Sequence, residues 1–567
     1  MKNTKLIYLL MAFGLIMWSC EKDLDLAPED EITEATFFKS VNDFKLFATN
    51  FYNRLPRDSY ADRQTDIAYN EGGNDVSRGT LIAPQNDGHW DGSYKAIRAC
   101  NYLLEKAEIA GEEISDKLDT YKGEAYFFRA MTYYRMLKVW GGVPIVTKTL
   151  TTDSEELFAP RNSREEVFNL IVADLDKAIS LLPDEVTGSN VGRITKLGAY
   201  AYKARVTLFE GTWRKNHGGD NANGFIDMAI AAADQVIASG KYELFDRRDV
   251  LGEESYRLYF NLDSDGRTNP KGLTKADQKE TIIAVRFDRD LRPTSWSPMK
   301  DVRTMNPTKA MMDLFLCEDG LPIDKSPLFK GYALTTDEYV DRDPRMSTMM
   351  YIPEERYWMW QFAEWWRDWE DPNKNGFIYM GDGDDWGGRT ATGYNGRKFT
   401  QEVETPLGAD YPFIRLAEVY LIYAEAKFER EGSIGDADLA KSINKIRQRV
   451  GMPDLTNAFV NANGLSMQNE IRRERTVELS YEGFRYDDIR RWKIAETVLP
   501  QPIKGVKWAG TQWSTDERYA SNNVTLDTDG FIIIEDNRVF DPAKHYLLPL
   551  PERQLVVNEQ LKQNPGW

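Results

Sequence analysis

The stretch GEAYFFRAMTYYRMLKVWGGVPIV, residues 123–146, leaves the chain few structural options. Phe127, Ala130, Tyr134, Leu137 and Trp140 recur in it at helical spacing, and Gly141, Gly142 and Pro144 then stop the helix. The same spacing precedes it in YKAIRACNYLLEKA, where Tyr94, Ile97, Asn101, Leu104 and Ala107 share one face. Ser163 and Glu166 form a capping-box signature ahead of a helix predicted over 167–182 and ended by Pro183. Further helices are predicted at 196–210, 226–238, 413–431, 436–449 and 466–482. Several come in adjacent pairs with short breaks and small residues at the contacts, as in AYAYKARVTLFEG and AEVYLIYAEAKFEREG. Pairs of this kind stack like tetratricopeptide repeats, although no strict period survives. The expected fold is mainly α: a tetratricopeptide-like scaffold of helical pairs with long irregular loops and a few short strands.

Loops on such a scaffold carry specificity. Residues 246–410 are rich in Gly, Pro, Asp and aromatics, with a strand expected at TIIAVRF (281–287), and read as a functional insertion rather than a linker. A second irregular region spans 56–92, and LDTDGFIIIEDNRVFD reads as a hairpin turning at Asp529-Gly530. The expected organisation is a signal peptide over 1–19, a leader over 20–40 and one body over 41–567. Within the body, 41–245 is an N-terminal helical part carrying loop 56–92, 246–410 the insertion, and 411–567 a C-terminal helical part with its tail.

The N-terminus is an address. Lys2 and Lys5 precede an apolar run from Leu6 to Trp18, too short to span a bilayer, and the run ends IMWSC. Ordinary secretion is one reading. The preferred one is a bacterial lipoprotein signal cleaved before Cys20, whose sulfur then carries lipid; Trp18 departs from the small residue usual there. Such an anchor holds a soluble body on a membrane without a spanning helix. Cys100 falls in a helical pattern and is expected as a buried free thiol, while spacing alone does not decide a Cys100–Cys317 bridge.

Charge narrows the partners. With 72 Lys and Arg against 90 Asp and Glu, the formal charge of −18 disfavours a nucleic-acid binder. Three scattered histidines, His89, His217 and His545, give no zinc-hydrolase motif, and no nucleophile elbow, Walker loop or dinucleotide fingerprint is present. Close carboxylate pairs are inevitable in an acidic chain, but nothing promotes one pair to a glycosidase centre. The expectation is a binding protein without an enzymatic centre or a cofactor. One metal pattern stands out: Asp371, Asn373, Asn375 and Asp382, with Gly376, follow calcium-loop spacing. Position 12 is Asp rather than Glu and Pro372 intrudes, so a metal-free Asn/Gly turn is the preferred reading and calcium the alternative.

RYWMWQFAEWWRDWEDPNKNGFIYMGDGDDW, residues 356–386, holds six of the 15 tryptophans. Trp358, Phe362, Trp365 and Trp369 lie on one face of a helix and fit packing into the body as well as display. Trp360 and Trp366 point off that stripe, and Trp386 sits in a Gly/Asp-rich run. Aromatic faces among Asp, Asn and Arg suit carbohydrate, each stack adding about 0.5–1.5 kcal/mol by analogy with aromatic pairs. A few such contacts give weak binding, roughly millimolar to micromolar.

The ordered motifs resemble those of SusD/RagB-type outer-membrane nutrient-binding lipoproteins. They run WDGSYKAIRACNYLLEKA (90–107), GEAYFFRAMTYYRMLKVWGGVPIV (123–146), AYAYKARVTLFEG (199–211), FIRLAEVYLIYAEAKFE (413–429), INKIRQRVG (443–451), ERTVELSYEGFRYDDIRRW (474–492) and HYLLPLPERQLVVNEQLKQNPGW (545–567). Most are scaffold: Glu124, Arg129, Arg415, Glu418 and Arg475 are expected as buried, paired struts, and Trp90, Trp140 and Trp492 as core aromatics. The resemblance implies a lid over a SusC-like, TonB-dependent transporter, lipid-anchored through Cys20 on the outer face of the outer membrane, capturing an oligosaccharide. It places ligand contacts near 66–80 and 290–400: Asn74, Asp75 and Arg78 for hydroxyls, and Trp296, Trp360, Trp366 and Trp386, with Trp358 beside them, for stacking. Some related proteins take peptides, which makes a peptide-binding lid the alternative; a secreted glycosidase is a weaker one.

Overall fold

A computed structural model describes residues 37–56, 61–69, 74–294, 306–353, 390–401, 406–516 and 524–567. Its helical frame is built from α1 (Val41–Thr49), α2 (Gly88–Glu108), α3 (Asp119–Trp140), α4 (Arg164–Leu181), α5 (Lys196–His217) and α6 (Ala222–Ala238). After a long interval follow α7 (Leu416–Glu431), α8 (Ile443–Arg449), α9 (Met467–Glu478) and α10 (Arg485–Arg491). Local chemistry sets the starts. The Ser163 hydroxyl accepts from the Glu166 N–H at 3.2 Å and the Glu166 carboxylate accepts from the Ser163 N–H at 2.7 Å, closing the predicted box at α4. Ser40 and Asp43 make the same box at α1. Within the described residues this helix starts at Val41.

Each helix packs on its neighbour in sequence: α2 on α3, α3 on α4, α4 on α5, α5 on α6. The stack then continues from α6 directly to α7 and from α7 to α9, so everything between Ala238 and Leu416 is an excursion from it. That is the tetratricopeptide-like arrangement the paired patterns predict. The region expected as one helix over 436–449 is broken at Ser442 into Asp436–Lys441 and α8, and residues 413–415 belong to a strand rather than to α7. Gly142 explains part of the GGVP stop: a Cβ there would lie 2.1 Å from the Asn162 carbonyl oxygen, so only glycine allows the chain to leave α3 and approach α4 this closely.

Among the described residues eight short strands occur: β1 (Ala68–Tyr69), β2 (Thr281–Val285), β3 (Asn306–Pro307), β4 (Met350–Tyr351), β5 (Asn395–Gly396), β6 (Tyr411–Arg415), β7 (Ile503–Lys507) and β8 (Phe531–Glu535). They pair antiparallel two by two, β1 with β3, β2 with β6, β4 with β5 and β7 with β8. The hairpin expected at Asp529-Gly530 exists, with the Ile533 N–H on the Thr525 carbonyl at 2.8 Å, but β8 makes its main ladder with β7.

The core combines aromatic packing with buried ion pairs. Trp90, Trp140 and Trp492 are buried, and Trp90 meets Trp140 edge to face at 5.1 Å. Arg129 holds Asp174 with two bonds of 2.7 and 2.8 Å, Arg193 grips Glu124, and Arg205 grips Glu418. Around α9 the charges form a network: Arg415 bonds Glu280, Glu478 and Glu482, Arg449 bonds Glu280 and Glu478, and Arg345 bonds Asp343, Glu474 and Glu478. Glu478 and Arg415 are at most 1% exposed, and such desolvated charges persist only when fully paired. The tail is fastened to the start of the stack. The Asn564 side-chain amide donates to the carbonyl of Trp140 at 3.2 Å, and the Trp140 indole N–H donates to the carbonyl of Pro549 at 3.1 Å. Cys100 and Cys317 are both free and buried, so no bridge joins them. No helix of the described residues is long and apolar enough to cross a membrane.

Candidate functional site

The loop ahead of α2 is positioned by buried carboxylates. Asp62 is fully buried in the one-turn helix Ala61–Gln64, where its carboxylate accepts from the N–H groups of Gly483 at 3.2 Å and Arg485 at 3.0 Å. Burial pushes its pKa up to about 7, against the pull of those backbone donors. Four residues on, Asp66 takes two bonds of 2.7 and 2.9 Å from the Arg485 guanidinium. Burial opposes its ionisation, but Arg485 overrides this and holds its carboxyl below the ordinary range. The loop is thereby clamped onto the start of α10 before β1 pairs with β3.

Beyond that clamp Asn74 caps the single turn Asp75–Arg78. Its Oδ1 accepts from the Val76 N–H at 2.9 Å, its Nδ2 donates to the Gln64 carbonyl at 2.6 Å, and the residue is buried. Gly79, with φ of +69°, ends the turn in the left-handed region. Asp75 and Arg78 face outward. An Asp75 carboxylate oxygen accepts from the Thr80 hydroxyl at 3.1 Å, and Arg78 donates through Nε to Glu535 on β8 at 2.9 Å. Next to this pair, Val539 donates its N–H to the Ser77 carbonyl at 2.7 Å and the Arg538 guanidinium reaches the Ser77 hydroxyl at 3.2 Å. Glu535 and Arg538 carry no local motif; only the tertiary docking of the hairpin on the 74–80 turn reveals them.

The same face gathers the ends of the aromatic-rich insertion. Residue 306, which follows segment 295–305, pairs in β3 with β1, and the Asn306 side-chain oxygen accepts from the Ala391 N–H at 3.0 Å. Ala391 follows segment 354–389, whose other end is anchored by β4 against β5. Thr392 accepts from the Val506 N–H of β7 at 2.8 Å, joining these ends to the β7–β8 hairpin and so to Arg78. Trp296, Trp358, Trp360, Trp366 and Trp386 lie outside the described residues, as do Asp371, Asn373, Asn375, Asp382 and Cys20. Among the described residues no group of three or more His, Cys, Asp or Glu side chains could hold a metal ion. His217 stacks on Trp213 at 4.1 Å, and His545 accepts the Asp541 N–H at 2.9 Å. Burial lowers both pKa values, so these histidines are neutral packing groups.

Residues 276–567, just over half of the chain, match the SusD family, and residues 33–208 match a family described as starch-binding, associating with the outer membrane. The chain belongs to the SusD family. Its match to the SusD-like protein P38 of Formosa agariphila is 26% identical and spans 51% of this chain and 54% of that relative. Against the SusD-like protein P2 of the same organism, the match is 24% identical and covers 100% of both. Among solved structures, a SusD-like carbohydrate-binding protein of Bacteroides fragilis superposes with a TM-score of 0.72 at 23% identity, covering 93% of this chain and 100% of that one. The SusD-like fold is therefore shared along nearly the whole chain.

Proposed function

We propose that this SusD-family protein is a glycan-binding lipoprotein of the bacterial cell surface that serves as the lid of a SusC-like, TonB-dependent transporter. Residues 1–19 act as its signal, Cys20 carries the lipid, and residues 20–40 form a leader that sets the body 41–567 on the outer face of the outer membrane. The observation that carries the ligand reading is convergence. The turn bearing Asp75 and Arg78, the residues following segments 295–305 and 354–389, and the β7–β8 hairpin meet on one face. The description of one matching family as starch-binding and the naming of a structural neighbour as carbohydrate-binding support the same ligand class.

On this reading Asp75 and Arg78 meet sugar hydroxyls and Asn74 holds the turn that presents them. Trp296, Trp358, Trp360, Trp366 and Trp386 supply the flat faces, and the 371–382 loop is the place for calcium if one is bound. Isothermal titration calorimetry of the chain from residue 20 onward, against a panel of polysaccharides and peptide digests, tests the proposal. Trp360→Ala, Trp366→Ala, Trp386→Ala and Arg78→Ala run alongside. Saturable binding of one glycan, weakened about 10-fold or more in at least one folded variant, is the expected result. Binding of peptides alone would replace the glycan with a peptide cargo. Glycan binding indifferent to all four substitutions would move the site off this face.

A further inference from the structure

A cavity of about 110 Å³ lies between α3, α5, β6 and the turn that leads into α10. Its wall is rich in charge, and the acids in it are already used. Glu482 is held by Arg415 and Lys398, Asp487 by Lys138 and Arg490, and Asp488 by Arg475 and Arg491. Arg205, also in the wall, is held by Glu418.

The donors are in excess. Arg135 on α3 has no carboxylate partner among the described residues; its one contact is with the Arg54 carbonyl at 3.5 Å, the outer limit of a hydrogen bond. Arg475, 3% exposed, buries an Nη1 donor with no acceptor. The hydroxyls of Tyr134 and Tyr202, which also line the cavity, make no hydrogen bond to a described residue. Burial raises the pKa of both phenols, so both stay protonated and act as donors. Two guanidinium groups and two phenols thus line one small space in which each carboxylate of the described lining residues is already paired. A buried donor without a partner, such as Nη1 of Arg475, costs about 1–3 kcal/mol unless something else satisfies it. Water satisfies such donors but brings no counter-charge to Arg135. A tetrahedral oxyanion answers both needs, because its oxygens accept from several directions and planar guanidinium groups favour it. The volume admits one such ion, or about three waters at roughly 30 Å³ each.

We infer that this cavity is a binding site for a small inorganic oxyanion, phosphate or sulfate, which joins α3 through Tyr134 and Arg135 to α5 through Tyr202 and to α9 through Arg475. The site is separate from the proposed glycan face and does not depend on it. An ion bound only by the folded chain raises its stability by RT ln(1 + [ion]/Kd), a rise that follows the logarithm of concentration once the ion exceeds Kd.

The thermal unfolding midpoint of the chain from residue 20 onward is measured while phosphate, sulfate or chloride is titrated at constant ionic strength. The described contacts all lie within residues 37–567, so this chain contains the whole site. The expected result is a rise that follows ln(1 + [ion]/Kd) with phosphate or sulfate and little rise with chloride; the lower fitted Kd of the two names the preferred ion. Arg135→Gln should raise the fitted Kd at least about 10-fold, and Tyr202→Phe about 2- to 5-fold. Lys177→Gln, on an exposed face of α4, should leave it unchanged. If Arg135→Gln does not fold, Arg135→Lys, which keeps the charge but not the planar fork, should give an intermediate shift. A linear rise equal in wild type and Arg135 variants would reveal general salting and overturn the inference. Crystals grown in selenate decide it independently: anomalous density in the cavity supports the site, and ordered water alone there overturns it.

Discussion

Arg415 and Arg78 are both arginines bonded to glutamates, and the two regions they occupy use the same chemistry differently. Arg415 is sealed in the helical body, sharing Glu280, Glu478 and Glu482 with Arg449 and Lys398. Arg78 stands on the loop face with its side chain 36% exposed and one bond to Glu535. In the body, charge fixes the relative placement of helices that apolar contacts would let slide. On the face, charge is left within reach of solvent and of anything that arrives from it. Charge in the body specifies the fold, and charge on the face stays accessible to solvent.

The sharpest way to break this contrast is to remove a shared acid from the body. Glu478→Gln would leave Arg345, Arg415 and Arg449 short of a counter-charge, with an expected loss of about 3–5 kcal/mol in denaturant unfolding. A loss below about 1 kcal/mol would mean that the network rearranges and specifies little. The second test uses pH, because the two regions titrate in opposite senses. Glu425 is buried, which disfavours its charge, yet Arg491 beside it holds its pKa down at about 2. Its folded value lies below the unfolded one, so its contribution is complete above the ordinary carboxylate range and is lost as pH falls toward 2. Asp62, raised by burial to about 7, does the reverse. Its contribution is complete below the unfolded value of 3.8 and disappears as pH rises through about 7. Glu425→Gln should therefore flatten the acid side of the stability profile and Asp62→Asn the neutral side. Hydrogen-exchange protection of residues 61–69, relative to the intrinsic base-catalysed rate, should fall above pH 7 in the wild type and stay level in Asp62→Asn.

How much of this was legible beforehand differs between the same two regions. The α3 pattern, the box at Ser163, the glycine stop and the struts at Glu124, Arg129, Arg415, Glu418 and Arg475 are local or strongly periodic signals, and the structure carries all of them. Ser442, which splits the helix expected over 436–449, has non-helical φ and ψ of −130° and −95°, and no proline or glycine marks that break. On the face, the family resemblance implies Asp75 and Arg78, while nothing in the sequence marks Glu535 and Arg538, because a partner 457 residues away leaves no spacing to read. The spare donors around Arg135 were equally invisible, since an arginine without an acid is recognised only when every neighbouring acid has been assigned.

Smaller effects sharpen the picture at the turn. Asn74→Ala removes a cap and the bond to Gln64, with an expected loss of about 1–2 kcal/mol and a ligand affinity reduced through misplacement of Asp75 and Arg78. Arg78→Ala should cost less than about 1 kcal/mol of stability, as exposed pairs do, yet weaken ligand more than Asn74→Ala does. Thermal melts and calorimetry on the two variants compare them directly; the opposite ranking in affinity would make Arg78 a brace for the hairpin and not a contact.

The bond from Asn564 to the Trp140 carbonyl spans 424 residues of chain. At roughly 5–20 residues per second, a ribosome needs on the order of 20–85 s to travel between those two positions. For that interval the end of α3 exists without the tail that completes it, and the indole of Trp140 has no Pro549 carbonyl to meet. The stack cannot close as it is made. Residues near 564 finish a joint begun at residue 140, so a chain lacking them would carry an open seam at the end of α3 and would offer quality-control proteases a place to start.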